Sequence, residues 1–256
     1  MTEREAAYNA KLQDLIGKVG NLTEAEVKRV QVLLERSRKE VGSRIAETEW
    51  QAHFLPQLQS AVKRAIEGYR LQYADLLQKA LLNMWNAGID QVDWPINYVG
   101  IGAHAPEISR SALDIMQGYS ADLVTNVSKD LVGRINGELT LGILGGKTPF
   151  EVMKAIGRNL DDPSVFRSIA VRAETITRTE MARVNSAARQ ARMSAVVKAD
   201  PGRGWLKKWI SSGKFHPRPT HLALNGTTVS VTRDFPGHIP YPHAPGLPAS
   251  EVINCG

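Results

Sequence analysis

The sequence predicts an α+β protein: a helical N-terminal half with long helices, then a smaller domain with a helix, a β-hairpin and a proline-rich irregular tail. Three observations predict this class. Apolar residues recur at three- and four-residue spacing as far as about residue 143. Asn225-Gly226, a favoured hairpin dipeptide, lies between two short strand-like runs. Five prolines fall between residues 232 and 250, where they oppose regular structure.

The first predicted helices have clear apolar stripes. Thr23, followed by Glu24 and Glu26, has the features of a helix N-cap with an acidic first turn. Pro56 can open the next helix, because proline is tolerated in the first turn. Helices of this length need a partner for the stripe, either in the same chain or in a neighbouring subunit. The stripes consist of Val27, Val30, Leu34, Ser37 and Val41, then of Val62, Ala65, Ile66, Tyr69, Tyr73, Leu77, Ala80, Leu81 and Met84.

The middle of the chain contains an interruption and a domain boundary. Glycines and prolines between residues 88 and 106 predict an ordered connector, after which helical spacing returns over 107–143. Gly145-Gly146 ends that helix. We therefore expect a helical docking region over residues 1–145 and a second domain over 146–256.

The second domain opens with helix signals and continues with strand signals. Thr148, Pro149 and Glu151 predict a capping box, and Asp162 is the expected N-cap of a helix running to about Val197. Residues 206–211 alternate weakly, as an edge strand does. Residues 222–224 and 227–231 are the two predicted strands of the hairpin.

Composition and charge exclude several classes of protein. The first residues are too acidic for a signal peptide, and no apolar run is long enough to span a membrane. Residues 1–136 carry a net charge of −1 and residues 137–256 a net charge of +7. A basic second half favours non-specific contact with DNA phosphates, with a solvated basic helix face as the alternative. The predicted DNA-contact residues are Arg172, Arg183, Arg189, Arg192, Lys207 and Lys208.

Five fragments are informative in combination. They are, in order, Thr177-Arg178-Thr179-Glu180, Trp209-Ile210-Ser211-Ser212, Arg218-Pro219-Thr220-His221, Leu224-Asn225-Gly226 and Ile253-Asn254-Cys255. Their order and spacing resemble the C-terminal domain of the phage Mu F-like head morphogenesis proteins, which are minor capsid proteins of tailed phages. The resemblance covers about residues 140–256.

The resemblance implies a structural role in a virion, near the portal, after synthesis in the host cytoplasm. Its expected partners are the portal protein, the major capsid or scaffolding protein, and packaged double-stranded DNA. No membrane, cofactor or catalysis is implied. The resemblance also implies that one set of residues is structural: Arg178, Glu180, Trp209, Arg218, His221, Gly226, Asn254 and Cys255.

Two alternatives stay open on the sequence. One is a general DNA-binding module. The other is a metal-dependent nuclease or toxin-like enzyme that uses the histidine-rich segment 216–255, with His221, Asn225, His238 and His243 in the nuclease site. Between residues 201 and 250 the only acidic residue is Asp234, so hard-ion ligands are few. The less favoured metal ligands are His216, His221, His238, His243 and Cys255.

Overall fold

A computed structural model describes residues 2–101, 105–211 and 218–253. The helices are α1 (Glu3–Glu47), α2 (Leu55–Tyr98), α3 (Ser111–Leu144), α4 (Pro149–Ile156), α5 (Val165–Ala199), α6 (Pro219–Leu224) and α7 (Ala249–Val252). The strands β1 (Leu206–Lys208) and β2 (Thr228–Ser230) pair antiparallel. The predicted α+β class, predominantly helical with long N-terminal helices, is confirmed. No helix in the described ranges combines the length and apolar character that crossing a bilayer requires.

The chain forms two compact units. One, the clasp unit, comprises Met1–Glu24, Lys79–Gln117 and Arg178–Gly256; the other, the helical unit, comprises Ala25–Gln78 and Gly118–Thr177. Both are assembled from separated segments, whereas the sequence interpretation divided the chain once, after residue 145. That single division stays a prediction.

The predicted apolar stripes of α1 and α2 are buried along their whole length. In the helical unit, Leu34, Val62 and Leu131 are fully inaccessible, and in the clasp unit Met84 and Trp85 are equally buried. Of the two kinds of partner expected for these stripes, the same chain supplies the cover, since they are buried without any second subunit. Association with other proteins must use other surfaces.

Three predicted helix boundaries are wrong. Thr23 lies inside α1, where its Oγ1 donates to the carbonyl of Val19 at 2.9 Å and so does not cap a helix. Gly88 and Pro95 lie inside α2, so the predicted connector is helical as far as Tyr98. Asp162 precedes the cap of α5, since the Ser164 hydroxyl accepts the Arg167 N–H at 3.1 Å.

The capping box at the start of α4 is confirmed. The Thr148 side chain accepts the Glu151 N–H at 3.3 Å, and the Glu151 carboxylate accepts the Thr148 N–H at 2.7 Å.

The predicted hairpin around Asn225-Gly226 is wrong. Residues 222–224 belong to α6, and β2 pairs with β1 in the register Lys207↔Val229. The irregular tail is confirmed apart from an isolated bridge, Phe235↔Ile239.

Two tyrosines in the helical unit provide a matched test of buried hydrogen bonding. The Tyr73 hydroxyl lies 2.9 Å from both the Ala173 carbonyl oxygen and Thr177 Oγ1, whereas the equally buried Tyr69 hydroxyl has no partner among the described atoms. We expect Tyr73→Phe to lower the free energy of unfolding by about 1 kcal/mol, because it removes a buried hydrogen bond, while Thr177 Oγ1 still donates to the Ala173 carbonyl. Tyr69→Phe should be neutral or stabilising. Urea unfolding followed by circular dichroism checks both, and an equal loss in the two variants would contradict the assignment.

Candidate functional site

A small aromatic core organises the C-terminal part of the clasp unit. Trp209, only 5% exposed, packs with Leu224, Phe235 and Ile239, and its ring is nearly perpendicular to the Phe235 ring at a centroid distance of 5.2 Å. The Trp209 carbonyl accepts the Gly226 N–H at 2.9 Å. Gly226 has φ +83°, a conformation that favours glycine, so this turn depends on the residue type. Two of the predicted motif residues are therefore in direct contact.

Helix α6 ties the C-terminal segment to this core. His221 is buried, its ring lies 5.5 Å from that of Trp209, and its Nε2 is 2.8 Å from a Glu251 carboxylate oxygen. The Thr220 hydroxyl donates to the same carboxylate at 3.3 Å, and an Arg218 N–H donates to the Ile253 carbonyl at 2.5 Å. We call these tethers of α7 to α6 the C-terminal clasp. Asn254 and Cys255, which follow directly, lie outside the described residues.

Glu251 is the site residue that the sequence analysis missed. Its carboxylate pairs with His221. A sequence signal existed, because Glu251 is the only acidic residue after Asp234. Its pairing could not be foreseen without knowing that α7 returns to α6.

His243 is a second buried histidine in this region. It has φ +62° and hydrogen-bonds to the backbone of Val252, while its Nδ1 has no partner among the described atoms. Burial is the main reason that the pKa of His243 is lowered to about 4; the nearby Arg183, Arg189 and His221 contribute in the same direction, and the hydrogen bond to Val252 opposes them. This imidazole is therefore neutral at pH 7.

The motif residues on α5 make internal contacts. Glu180 is 1% exposed, and its carboxylate accepts an Arg183 N–H at 2.8 Å. Arg178 forms a two-pronged contact with Glu24, at 2.5 and 2.8 Å. A buried carboxylate held by an adjacent arginine has the character of a structural pair, since ionised groups must be compensated inside a protein.

The six predicted DNA-contact residues do not form one exposed basic face. Lys207 is buried and donates to the Pro240 carbonyl at 2.7 Å and to Gln190 Oε1 at 3.3 Å. Arg192 pairs with Asp93 at 2.5 Å and also donates to two carbonyls. Arg183 is committed to Glu180, and burial lowers the pKa of the Arg189 guanidinium.

Only two of the predicted DNA-contact residues are well exposed. Lys208 lies on β1 of the clasp unit, and Arg172 belongs to the helical unit, where it pairs with Asp130 at 3.4 Å. Packing turns the other four predicted residues inward, and DNA contact by any of the six stays a prediction.

The residues predicted for a metal or nuclease site make separate contacts and do not share one site among the described residues. His221 Nε2 contacts Glu251, Asn225 Oδ1 accepts the Ser211 N–H at 3.0 Å, and His238 is exposed with φ +58°. Within residues 2–101, 105–211 and 218–253, no three His, Cys, Asp or Glu side chains converge as metal ligands. His216 and Cys255, the other two predicted ligands, lie outside these ranges.

No family model matches the chain, and no curated protein or solved structure is similar to it at a significant level. The interpretation of function therefore depends on the residues and their geometry. The strongest geometric feature is the Trp209 core with its C-terminal clasp, in which tryptophan, arginine, histidine and glycine of the sequence motif come together.

Proposed function

We propose that the chain is a structural minor head protein of a tailed phage, resembling the Mu F-like head morphogenesis proteins. It would be located in the virion head near the portal, and it would support head assembly, genome packaging or delivery. Its proposed partners are the portal protein and the major capsid or scaffolding protein. Packaged double-stranded DNA is a proposed non-specific contact.

The observation that carries this proposal is the convergence of the motif on one core. Trp209, Arg218, His221 and Gly226 come from fragments that are separated in the sequence, yet all four belong to the Trp209 core or its clasp. Residues that hold one another in position act together as one structural unit, as the resemblance implies for this motif. Their interactions are with the protein's own backbone and side chains, which supports a structural role for them.

Surfaces for assembly remain after the helix stripes are buried. In the helical unit, Val32 and Leu71 are more than half exposed, and so are Leu141, Leu144 and Phe150 around the α3–α4 connection. Exposed apolar side chains of this size are typical components of protein interfaces. We propose that these residues contact the head proteins.

Incorporation into heads tests the proposal. The head genes of the genome that encodes this chain would be expressed with and without the chain, and purified particles would be examined by quantitative mass spectrometry and for DNA content. We expect the chain to co-purify with heads in a fixed ratio to the portal. Particles that never contain it, and that assemble and fill equally well without it, would contradict the proposal.

A pair of variants on α6 links incorporation to the clasp. His221→Ala removes the contact with Glu251, whereas Leu222→Ala changes a neighbouring side chain that is 54% exposed. We expect a several-fold loss of incorporation for the first variant and little change for the second. Equal incorporation of both variants would show that the clasp is not needed.

A further inference from the structure

Strand β1 has an open outer edge. In an antiparallel pair, alternate residues turn their backbone groups towards the partner strand. The Val231 N–H donates to the Trp205 carbonyl and the Trp209 N–H donates to that of Thr227, so the odd-numbered residues face β2. The N–H and C=O groups of Leu206 and Lys208 therefore point to the other side. In the part of the chain that the structure describes, neither residue's backbone has a partner there.

An apolar cavity adjoins β1 at Leu206. Its volume is about 340 Å³, it lies within the clasp unit, and Leu206 contributes to its wall. The other side chains of the wall are mostly apolar as well, which gives the cavity the character of a site for a hydrophobic group. They include Pro95 and Ile96 of α2, Met193 and Val196 of α5, and Trp205. Leu206 itself is 64% exposed, so it joins the open edge to the cavity.

The positive charge of Lys208 at the outer edge of β1 favours an acidic partner. Lys208 is exposed at this edge and has no ion pair among the described residues. A lysine on an edge strand disfavours pairing with a second copy of the same strand, because like charges then face each other. An acidic strand has the opposite effect and gains charge complementarity.

We propose that the outer edge of β1 binds an extended acidic peptide segment of another protein, which adds as a third strand and places an apolar side chain in the adjoining cavity. Strand addition supplies main-chain hydrogen bonds, and the cavity supplies selectivity for one side chain. This inference goes beyond the assembly role and does not depend on it, since binding can be measured with the isolated chain.

Two synthetic peptides test the binding directly. A labelled peptide that alternates valine and glutamate is titrated with the full chain and followed by fluorescence anisotropy, beside a peptide that alternates valine and lysine. We expect the acidic peptide to bind about tenfold more tightly than the basic one at low salt. Failure of the full chain to bind the acidic peptide, or equal binding of both peptides, would overturn the proposal.

Variants locate the site. Lys208→Pro removes an N–H that points away from β2, so it blocks strand addition while leaving the β1–β2 pairing intact. Leu206→Asp places a negative charge at the cavity on an exposed position, which the fold tolerates. We expect either variant to weaken binding of the acidic peptide by at least about fivefold. The control is Lys129→Glu, an exposed charge reversal on α3.

Circular dichroism establishes whether each variant is folded. If Lys208→Pro lowers the thermal stability, Leu206→Asp alone decides the question. Wild-type binding by a folded Leu206→Asp variant would overturn the placement of the site at this edge, as would an equal loss of binding in the Lys129→Glu control.

Discussion

Gly88→Ala should lower the free energy of unfolding by about 2 kcal/mol, the middle of the range for overpacking a well-filled interior. A Cβ atom at this position would lie 2.6 Å from the Asn185 carbonyl oxygen and 2.8 Å from the Ala188 Cβ. Both distances are far below van der Waals contact, and the nearer atom belongs to the backbone of α5. The two helices must therefore separate within the clasp unit, which also weakens the hydrogen bond from the Asn185 amide to the Met84 carbonyl.

A second glycine of α2 provides the control for this prediction. A Cβ atom at Gly68 meets nothing within 4 Å. Gly68→Ala should therefore stabilise the protein by up to about 1 kcal/mol, because alanine has the higher helix propensity. Urea unfolding of both variants at one pH measures the difference. Stability changes of the same sign in the two variants would contradict the close approach of α2 and α5.

Acidification should destabilise the protein through His243. Its pKa is about 4 in the folded chain, against an ordinary value of 6.5. Between these values the unfolded chain binds a proton that the folded chain does not, so stability falls as the pH is lowered. The contribution is fully present above pH 6.5, is lost progressively towards pH 4, and amounts to roughly 3 kcal/mol. Chemical unfolding at a series of pH values measures it.

The His243→Asn variant isolates this contribution from the protonation of carboxylates. Asparagine tolerates the positive φ of residue 243 and does not titrate. We expect the unfolding free energy of the wild type to fall relative to that of the variant as the pH falls from 6.5 to 4. A constant difference over that interval would mean that His243 does not bind its proton differently in the two states.

Helices with strong periodicity were predicted well from the sequence, and their ends less well. The stripe from Val62 to Met84 is buried throughout, and the Thr148 capping box forms as predicted. Thr23 has the features of a cap, but its hydroxyl can bond the preceding turn equally well, and α1 continues through Gly17 and Gly20 despite their low helix propensity. Gly88 resembles a helix breaker in the sequence, but it lies inside α2, where the lack of a side chain allows α5 to pack closely.

The candidate site was predictable as a set of residues but not as an arrangement. The motif included Trp209 and His221, which the structure brings together, yet nothing local predicts that Glu251 pairs with His221. The same limit applies to the basic residues. Lys207 and its neighbour Lys208 are alike in sequence, and Lys207 is the buried one because Gln190 and Pro240 pack on its side of β1. Contacts between distant segments fix both outcomes.

Association with the portal is the property that the proposed function requires most directly. The most direct measurement is native mass spectrometry of assemblies purified after co-expression of the chain with the portal and major capsid proteins of its genome. We predict a portal assembly that carries a defined number of copies of the chain. A free chain beside an unmodified portal assembly, under conditions that preserve the portal oligomer, would contradict the claim.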